Sequence, residues 1–204
     1  LTSGTTWHSA AQVRALRHSQ NLTRMIQYSV DLYSQLETET GQNVGWIQKG
    51  SLSIATTPNR LIHVKRQEAL AHAYGIEAQS ISAGEATEIW PLMNAEDVLG
   101  AVWSPNDGRV SPSDVCAALV KAARGLGAKL FEKTGVTGIL TENGRIKGVE
   151  TTQGTVMCEA IALCTGLWSR EVGAMAGAEV PVLACEHFYP LTKPIDGITG
   201  NMPT

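Results

Sequence analysis

Residues 136–156, VTGILTENGRIKGVETTQGTV, contain the pattern that best indicates the fold. The elements on either side are interpreted relative to this stretch. Val136–Leu140 and Arg145–Thr151 have the composition of strands, and Glu142-Asn143-Gly144 lies between them. Asn-Gly between two such runs predicts a tight hairpin, because both central residues of that turn take positive φ. Gln153-Gly154 marks a second turn. The stretch therefore predicts a three-stranded antiparallel meander.

The residues on either side of this meander predict a sheet with helices. Ala128–Glu132 has the pattern of a short strand, and Thr155–Cys164 that of a buried apolar strand. The second strand runs through Thr165-Gly166 into a predicted helix over Leu167–Gly177. A buried strand followed by a glycine turn and a helix is typical of a parallel α/β sheet. The predicted class is α/β of mixed α+β content, with an antiparallel excursion before a parallel strand.

The first 127 residues predict three further helices and a strand. Apolar residues recur at helical spacing in the first helix, while a proline stands in the first turn of the other two, where its missing N–H costs nothing. A glycine ends each helix. The predicted segments are a helix over 21–41, a strand over 50–57, a helix over 57–75, irregular structure over 76–110 and a helix over 111–127.

Composition excludes several classes of protein. The chain has 204 residues, is 43% hydrophobic and 17% charged, and has a formal net charge of −3, which is typical of a globular protein. Sixteen basic and nineteen acidic residues without long runs of one sign give no footprint for nucleic acid. No apolar run approaches the ~20 residues of a membrane helix. We expect neither nucleic acid nor a membrane as a partner.

The four cysteines favour a reducing compartment. Cys116, Cys158, Cys164 and Cys185 form no Cys-x-x-Cys pair, and their apolar neighbours predict buried thiols. A zinc site or a disulfide framework is the alternative. We expect no metal and a cytoplasmic location, or the mitochondrial matrix in a eukaryote.

An expected motif is absent from the sequence. An α/β unit of this kind usually opens with a strand and Gly-x-Gly-x-x-Gly, whose glycines let the backbone approach a pyrophosphate. No such motif occurs, and the chain ends in the loop-like Gly-Asn-Met-Pro-Thr. Two interpretations follow: the protein binds no dinucleotide, or the chain is a fragment cut at both ends.

A series of motifs in order carries a family resemblance. They are TSGTTWHSAAQVRALRHSQ from residue 2, GSLSIATTPNR from 50, SPNDGRVSP from 104, the meander, ALCTGLWSREVGAMAG from 162 and EHFYPLT from 186. Together they resemble the dimethylglycine and sarcosine dehydrogenases of the D-amino-acid-oxidase-like superfamily. The resemblance implies a fragment, with a partial FAD-binding domain of the glutathione-reductase-like type over 1–41 and 105–180. A partial substrate-binding domain would take 42–104 and 181–204.

The resemblance implies FAD as the cofactor. His8 matches the histidine that this family joins covalently to the 8α-methyl group of FAD, and a neutral imidazole is a competent nucleophile for that bond. From the residues alone, a histidine in a polar loop is equally a structural residue. The other residues of this loop that the resemblance assigns to the cofactor are Gly4, Thr5, Thr6, Trp7 and Ser9.

Three positions in the second half also match cofactor residues of the family. Val136 matches a valine whose backbone contacts the adenine, although a plain strand residue is the alternative. Gly166 and Trp168 match the turn beside the cofactor, at the end of a strand where open α/β sheets bind ligands. One departure lies in the first loop, where this chain has Ala11-Gln12 and the family commonly has Gly-Leu. That change puts the path of the loop in question.

His187 and Tyr189 are the candidate catalytic residues. Spaced by two on a predicted strand, their side chains would lie on one face. Related enzymes run a similar His-x-Tyr strand past the substrate side of the flavin, where the two groups would position a small amine and manage its proton. The alternative is that they only line a sheet face.

The resemblance implies an enzyme that oxidises an N-methyl amine, such as dimethylglycine or sarcosine, by hydride transfer to FAD. A downstream domain would pass the product to tetrahydrofolate. The alternative is a non-catalytic relative resembling the regulatory subunit of pyruvate dehydrogenase phosphatase, acting as a protein-interaction module. If the sheet lacks its first strand, an exposed edge favours a homodimer, and the 204 residues alone would bind FAD poorly.

Overall fold

The computed structural model describes residues 1–188, 190, 192–198 and 202–203. Backbone contacts divide the chain into two compact units. The first unit is Leu1–Ala128 with Leu191–Thr204, and the second unit is Lys129–Pro190. The assignment of residues to a cofactor domain and a substrate domain stays a prediction.

Five α-helices and eight strands make up the described part of the chain. The helices are α1 (Gln20–Thr40), α2 (Pro58–Ala73), α3 (Ala83–Ile89), α4 (Pro112–Gly125) and α5 (Ser169–Met175). The strands are β1 (Gln12–Val13), β2 (Ser51–Ala55), β3 (Gln79–Ile81), β4 (Gly100–Ser104), β5 (Gly108–Arg109), β6 (Val136–Glu142), β7 (Arg145–Thr151) and β8 (Gly154–Met157). Two 3-10 helices, Thr5–His8 and Gly166–Trp168, complete the elements. The mixed α/β class is confirmed.

The antiparallel meander is confirmed in the second unit. Strands β6, β7 and β8 pair in that order, and both pairs are antiparallel. Asn143 and Gly144 take φ of 52° and 72° at the first turn, as a tight Asn-Gly hairpin requires. Helix α5 contacts β6 within the same unit.

The parallel strand predicted over 155–164 is wrong within the residues that the structure describes. Strand β8 ends at Met157 and pairs antiparallel with β7, and residues 158–165 form no strand. The last ladder bond runs from the Cys158 N–H to the Lys147 carbonyl oxygen, at 2.9 Å. A strand needs a neighbour to accept its hydrogen bonds, and the apolar run has none beyond this point. The strand predicted over 128–132 is absent for the same reason.

Two apolar clusters form the core of the first unit. In one, α2 covers the sheet β2-β4-β3, and Ala55, Val64 and Val102 are buried between them. In the other, α1 packs against α4 around Leu36 and Val115. These helices begin and end close to their predicted bounds, and Gly41 and Gly75 take φ of 65° and 74° at the ends of α1 and α2.

Residues 76–110 are more ordered than the sequence predicts. They contain β3, α3, β4 and β5. Helix α3 begins with a capping box, in which the Ser82 hydroxyl accepts from the Glu85 N–H and the Glu85 carboxylate accepts from the Ser82 N–H. Strand β4 lies between β2 and β3, so its order depends on partners distant in sequence. The prediction of irregular structure is therefore wrong.

The thiols and helices bear on two further predictions. Cys164 and Cys185 are exposed, and Cys116 and Cys158 are half-buried, so the prediction of buried thiols is wrong for the first two. Cys185 lies in a stretch without regular structure, which leaves its side chain uncovered.

Within the described ranges, no helix has the length and apolar character that a membrane crossing requires.

Candidate functional site

The loop assigned to the cofactor folds as an exposed turn in the first unit. Gly4 precedes the 3-10 helix Thr5–His8, none of whose four residues is buried. The Ser9 N–H closes the turn by donating to the Thr6 carbonyl oxygen, at 3.2 Å. The turn contacts α4. Short polar residues with hydroxyl groups therefore lie open on this surface.

Trp7 and His8 form an aromatic pair on this turn. Their ring centroids are 3.7 Å apart and their planes are inclined by 34°. The indole of Trp7 is 54% exposed, although burying an aromatic ring of this size is ordinarily favourable. An apolar ring and an imidazole with a nucleophilic nitrogen thus lie together at the surface. The arrangement is open to a planar ligand.

The backbone after the turn accommodates one departure from the family that this chain resembles, which is Ala11 in place of glycine. Ala11 has φ of 65°, in the left-handed region that favours glycine, which is the residue the family commonly has there. The Ala11 N–H donates to Ser9 Oγ at 3.1 Å, and the Val110 N–H donates to the Ala11 carbonyl oxygen at 3.1 Å. The loop therefore keeps a glycine-like backbone without a glycine.

A cavity of about 360 Å³ lies beside the turn. The turn, α1 and α4 form its walls, all within the first unit. Its lining is mainly apolar, and its polar residues carry hydroxyl groups, one thiol, the Gln12 amide and the Arg17 guanidinium group. Among the lining residues are Thr6 and Ser9 from the turn, Ile26 and Tyr33 from α1, and Val115, Cys116 and Leu119 from α4.

Asp107 is a buried carboxylate of the first unit that sequence reasoning did not single out. It is 4% exposed, and its carboxylate accepts from the Ala15 N–H at 2.8 Å and from the Ser51 hydroxyl at 2.5 Å. Burial raises the pKa of Asp107, against the opposing effect of these two hydrogen bonds and of the Arg14 and Arg17 guanidinium groups. The sequence Asn106-Asp107-Gly108 indicates only a turn, so it does not show which groups donate hydrogen bonds to the carboxylate.

The second unit carries the other three predicted cofactor residues. Val136 opens β6 opposite Thr151, with 38% of its side chain exposed. Gly166 and Trp168 are the ends of a 3-10 helix that leads directly into α5, and Gly166 has φ of 57°. Trp168 is 54% exposed. The predicted glycine turn into a helix is confirmed, and the roles of these residues toward the cofactor stay predictions.

The predicted catalytic strand does not form in the described residues. Residues 181–188 have neither helix nor strand, so the alternation that would place His187 and Tyr189 on one face is missing. His187 is exposed. Tyr189 lies outside the described residues. Their catalytic roles stay predictions.

The sequence as a whole places the chain in a family. The DAO model, described as FAD dependent oxidoreductase, matches residues 1–204. The chain therefore belongs to the DAO family of FAD-dependent oxidoreductases, as its resemblance to the dimethylglycine and sarcosine dehydrogenases implies.

Particular relatives are similar over the whole chain. It is 40% identical over 209 residues to the mitochondrial sarcosine dehydrogenase of Mus musculus, covering 100% of this chain and 23% of that protein. It is 39% identical over 208 residues to the mitochondrial pyruvate dehydrogenase phosphatase regulatory subunit of Mus musculus, of which it covers 24%. The chain thus spans about a quarter of the length of these relatives.

A solved structure supports the fold. The crystal structure of L-proline dehydrogenase from P. horikoshii matches with a TM-score of 0.81 and 31% identity, over 86% of this chain and 46% of that one. The fold of the matched part of this chain is therefore similar to that of L-proline dehydrogenase.

The residues of the turn fit a flavin. The Thr5, Thr6 and Ser9 hydroxyl groups can donate hydrogen bonds to the oxygens of a phosphate or a ring carbonyl. The exposed Trp7 indole offers a face for a planar ring, and the adjacent His8 imidazole offers a nitrogen nucleophile. The donors, the aromatic face and the nucleophile lie within five consecutive residues of one turn.

Proposed function

We propose that the full-length polypeptide that carries this chain oxidises an N-methyl amine with FAD as its cofactor. Membership of the DAO family supports the cofactor, and the 40% identity to a sarcosine dehydrogenase supports the substrate class, since sarcosine is an N-methyl amine. The exposed Trp7-His8 pair is the observation that carries the proposal. The mitochondrial relatives favour the mitochondrial matrix if the source is eukaryotic.

His8 is proposed as the residue that would bind the cofactor covalently: an imidazole nitrogen would bond to the 8α carbon while that methyl group and the imidazole each lose a proton, and the flavin ring would take up the two electrons and the two protons, to be reoxidised by oxygen. FAD supplies the two-electron acceptor when it is bound. His8 holds its ring at the surface on a turn, where an imidazole nitrogen could act as a nucleophile. The hydroxyl groups of the same turn would hold the cofactor by hydrogen bonding, and the exposed Trp7 indole would offer an apolar face for its ring.

The His8→Ala variant tests this attachment. In the full-length polypeptide, expressed with ample riboflavin, we expect flavin fluorescence to remain with the acid-denatured wild-type protein and to be absent from His8→Ala. His18→Ala is the matched control, because His18 is also exposed and lies in the same segment. Fluorescence retained by denatured His8→Ala, or lost equally from His18→Ala, would contradict the proposal.

A turnover assay tests the substrate class. With an artificial electron acceptor, the full-length wild-type polypeptide is expected to oxidise sarcosine or dimethylglycine and to release formaldehyde. The same amines carrying no N-methyl group, such as glycine, serve as controls. Oxidation of glycine at the rate of sarcosine would reject the specificity for an N-methyl carbon.

The second candidate function is a non-catalytic interaction module. It is supported by the 39% identity to the phosphatase regulatory subunit. A full-length polypeptide with bound flavin and no amine turnover, which forms a stable complex with a phosphatase catalytic subunit, would favour this candidate.

A further inference from the structure

Asp107 is a buried carboxylate that the proposed chemistry does not use. Among the described residues it is the only acidic residue that is buried. A buried ionisable group is costly unless hydrogen bonds compensate for the lost water. A carboxylate buried in the first unit therefore needs hydrogen-bond donors, and each of the two Asp107 oxygens accepts a hydrogen bond.

The two oxygens join segments that are far apart in the sequence. Oδ2 accepts from the Ser51 hydroxyl at 2.5 Å, and the Asp107 carbonyl oxygen accepts from the Gly50 N–H at 2.9 Å. Ser51 is the first residue of β2, which pairs along its whole length with β4. Oδ1 accepts from the Ala15 N–H at 2.8 Å. Asp107 thus links Ala15, in the segment that follows the exposed turn, to the sheet that contains β2 and β4.

The residues after Asp107 continue this attachment. Gly108 and Arg109 form β5, which pairs with β1, and the Val110 N–H donates to the Ala11 carbonyl oxygen. A Cβ atom at Gly108 would lie 2.6 Å from the Ile47 carbonyl oxygen, so the segment is closely packed on its other side. Residues 107–110 therefore hold residues 11–15 at several consecutive points.

The turn that bears Trp7 and His8 begins this held stretch. Ser9 ends the turn and its hydroxyl accepts from the Ala11 N–H, so the turn is tied to the first held residue. A group that reacts with a ligand must be placed to within about 1 Å of its productive geometry. The turn itself has no buried residue to fix its position. Beside its contact with α4, its placement therefore depends on the segment that follows it.

We infer that Asp107 is a positioning residue for the cofactor-binding turn, acting through its hydrogen bond to the Ala15 N–H. The inference rests on the proposed role of His8. Asp107 touches neither the turn nor a ligand; it sets where the chain leaves the turn. Its contribution is an acceptor at Oδ1, and a neutral amide oxygen in the same place would serve as well.

The experiment compares two substitutions of similar shape in the full-length polypeptide. Asp107→Leu removes the acceptor, while Asp107→Asn keeps an oxygen at Oδ1 and can donate to Ser51 through its NH₂ group. Flavin-free protein is mixed with FAD, and the rate of covalent incorporation is followed by fluorescence after denaturation. We expect Asp107→Leu to be at least ~10-fold slower than wild type and Asp107→Asn to be within about threefold. Wild-type rates in Asp107→Leu, or equal slowing in both variants, would overturn the inference.

Hydrogen exchange gives a readout that needs no cofactor. In the flavin-free wild type we expect slow exchange at the Ala15 amide, and in Asp107→Leu at least tenfold faster exchange over residues 11–15. Ser51→Ala removes only the bond at Oδ2 and keeps the Ala15 bond, so its incorporation rate and its exchange over residues 11–15 are expected to change less than those of Asp107→Leu, and an equal change in the two variants would overturn the inference. If Asp107→Leu does not fold, the wild-type measurement decides, because an Ala15 amide that exchanges like an unstructured chain overturns the inference.

The same variants separate this inference from the proposed function. If the wild type forms no covalent bond to FAD, the proposed attachment through His8 fails. The dissociation constant for FAD then replaces the incorporation rate as the readout, with a tenfold increase expected for Asp107→Leu and none for Asp107→Asn. If the wild type is covalently flavinylated and Asp107→Leu matches it in rate and exchange, only the positioning role fails.

Discussion

Two segments of the first unit differ in how they are held. The turn Gly4–Ser9 bears the aromatic pair, has no buried residue in its 3-10 helix, contacts α4, and ends with a backbone hydrogen bond of 3.2 Å from the Ser9 N–H to the Thr6 carbonyl oxygen. The segment Asp107–Val110 is bonded on both sides, to residues 11–15 on one and to Ile47 and Gly50 on the other. The groups proposed to react thus lie on the turn, which is the less firmly held of the two segments. The segment Asp107–Val110 has its position defined by hydrogen bonds on both sides.

The difference separates two requirements of a ligand site. A side chain that reacts must be accessible, so it cannot be stabilised by burial. Its position must still be defined, so the chain beside it is fixed by buried hydrogen bonds and close packing. We therefore expect substitutions around the buried segment to change stability most, and those in the turn to change it least.

We expect the largest effect on stability from Gly50→Ala. The Gly50 N–H donates a hydrogen bond to the Asp107 carbonyl oxygen. Gly50 has φ of 73°, and a Cβ atom there would lie 2.0 Å from the Trp103 ring. We expect a loss of about 3 kcal/mol or more in the free energy of unfolding, measured by denaturant titration of the full-length polypeptide. The control is Gly75→Ala, with φ of 74° and open space around it, where strain alone costs about 1–2 kcal/mol. Equal losses would show that packing against Trp103 is unimportant.

Thr23→Val is expected to have the next largest effect. The buried Thr23 hydroxyl accepts from the Arg17 N–H and donates to the Arg17 carbonyl oxygen, both at 3.0 Å. Valine has the same shape and leaves both groups unpaired, at a cost of about 2 kcal/mol in the free energy of unfolding. Ser34→Ala, which removes an exposed hydroxyl that donates to Asp31, should change this free energy by less than about 0.5 kcal/mol. A Thr23→Val protein as stable as wild type would refute this role.

Ala11→Gly is expected to stabilise the protein. The substitution removes the strain of φ at 65°, and after the entropy cost of glycine we expect a gain of about 0.5–1 kcal/mol in the free energy of unfolding. The neighbouring exposed Ala10 has no positive φ, so Ala10→Gly should lower that free energy by about 0.5–1 kcal/mol. The opposite signs are the result to look for, and a loss in both variants would contradict the explanation.

The smallest effect is expected in the pH dependence of stability, because the causes acting on Asp107 oppose one another. Burial raises its pKa above the ordinary value of 3.8, so the folded protein binds this proton more tightly than the unfolded chain does. The contribution of Asp107 to stability is therefore greatest below pH 3.8 and falls as the pH rises through the folded-state pKa. Asp107→Asn lacks this fall, so its stability relative to wild type should increase with pH across that window. Parallel stability–pH curves would contradict the direction of the shift.

Local elements could be predicted because their causes are local. The Asn143-Gly144 hairpin, the proline at the start of α2 and α4, and the glycine turn into α5 depend on residues within a few positions. The strands over 128–132 and 155–164 were predicted wrongly, because strand formation needs a neighbouring backbone that the apolar pattern cannot reveal. The strands β3, β4 and β5 within 76–110 were missed for the same reason, whereas α3 was missed although its capping box of Ser82 and Glu85 is a local signal.

By itself, the sequence determined the family and the mixed α/β class, since those depend on residue types in order along the chain. Only the tertiary structure decided that Asp107 is buried and what it binds. Its partners Ala15 and Ser51 lie 92 and 56 residues away, and no local pattern encodes a hydrogen bond across such a distance. The positive φ of Ala11 was likewise set by the fold, because the backbone bond to Val110 holds it there.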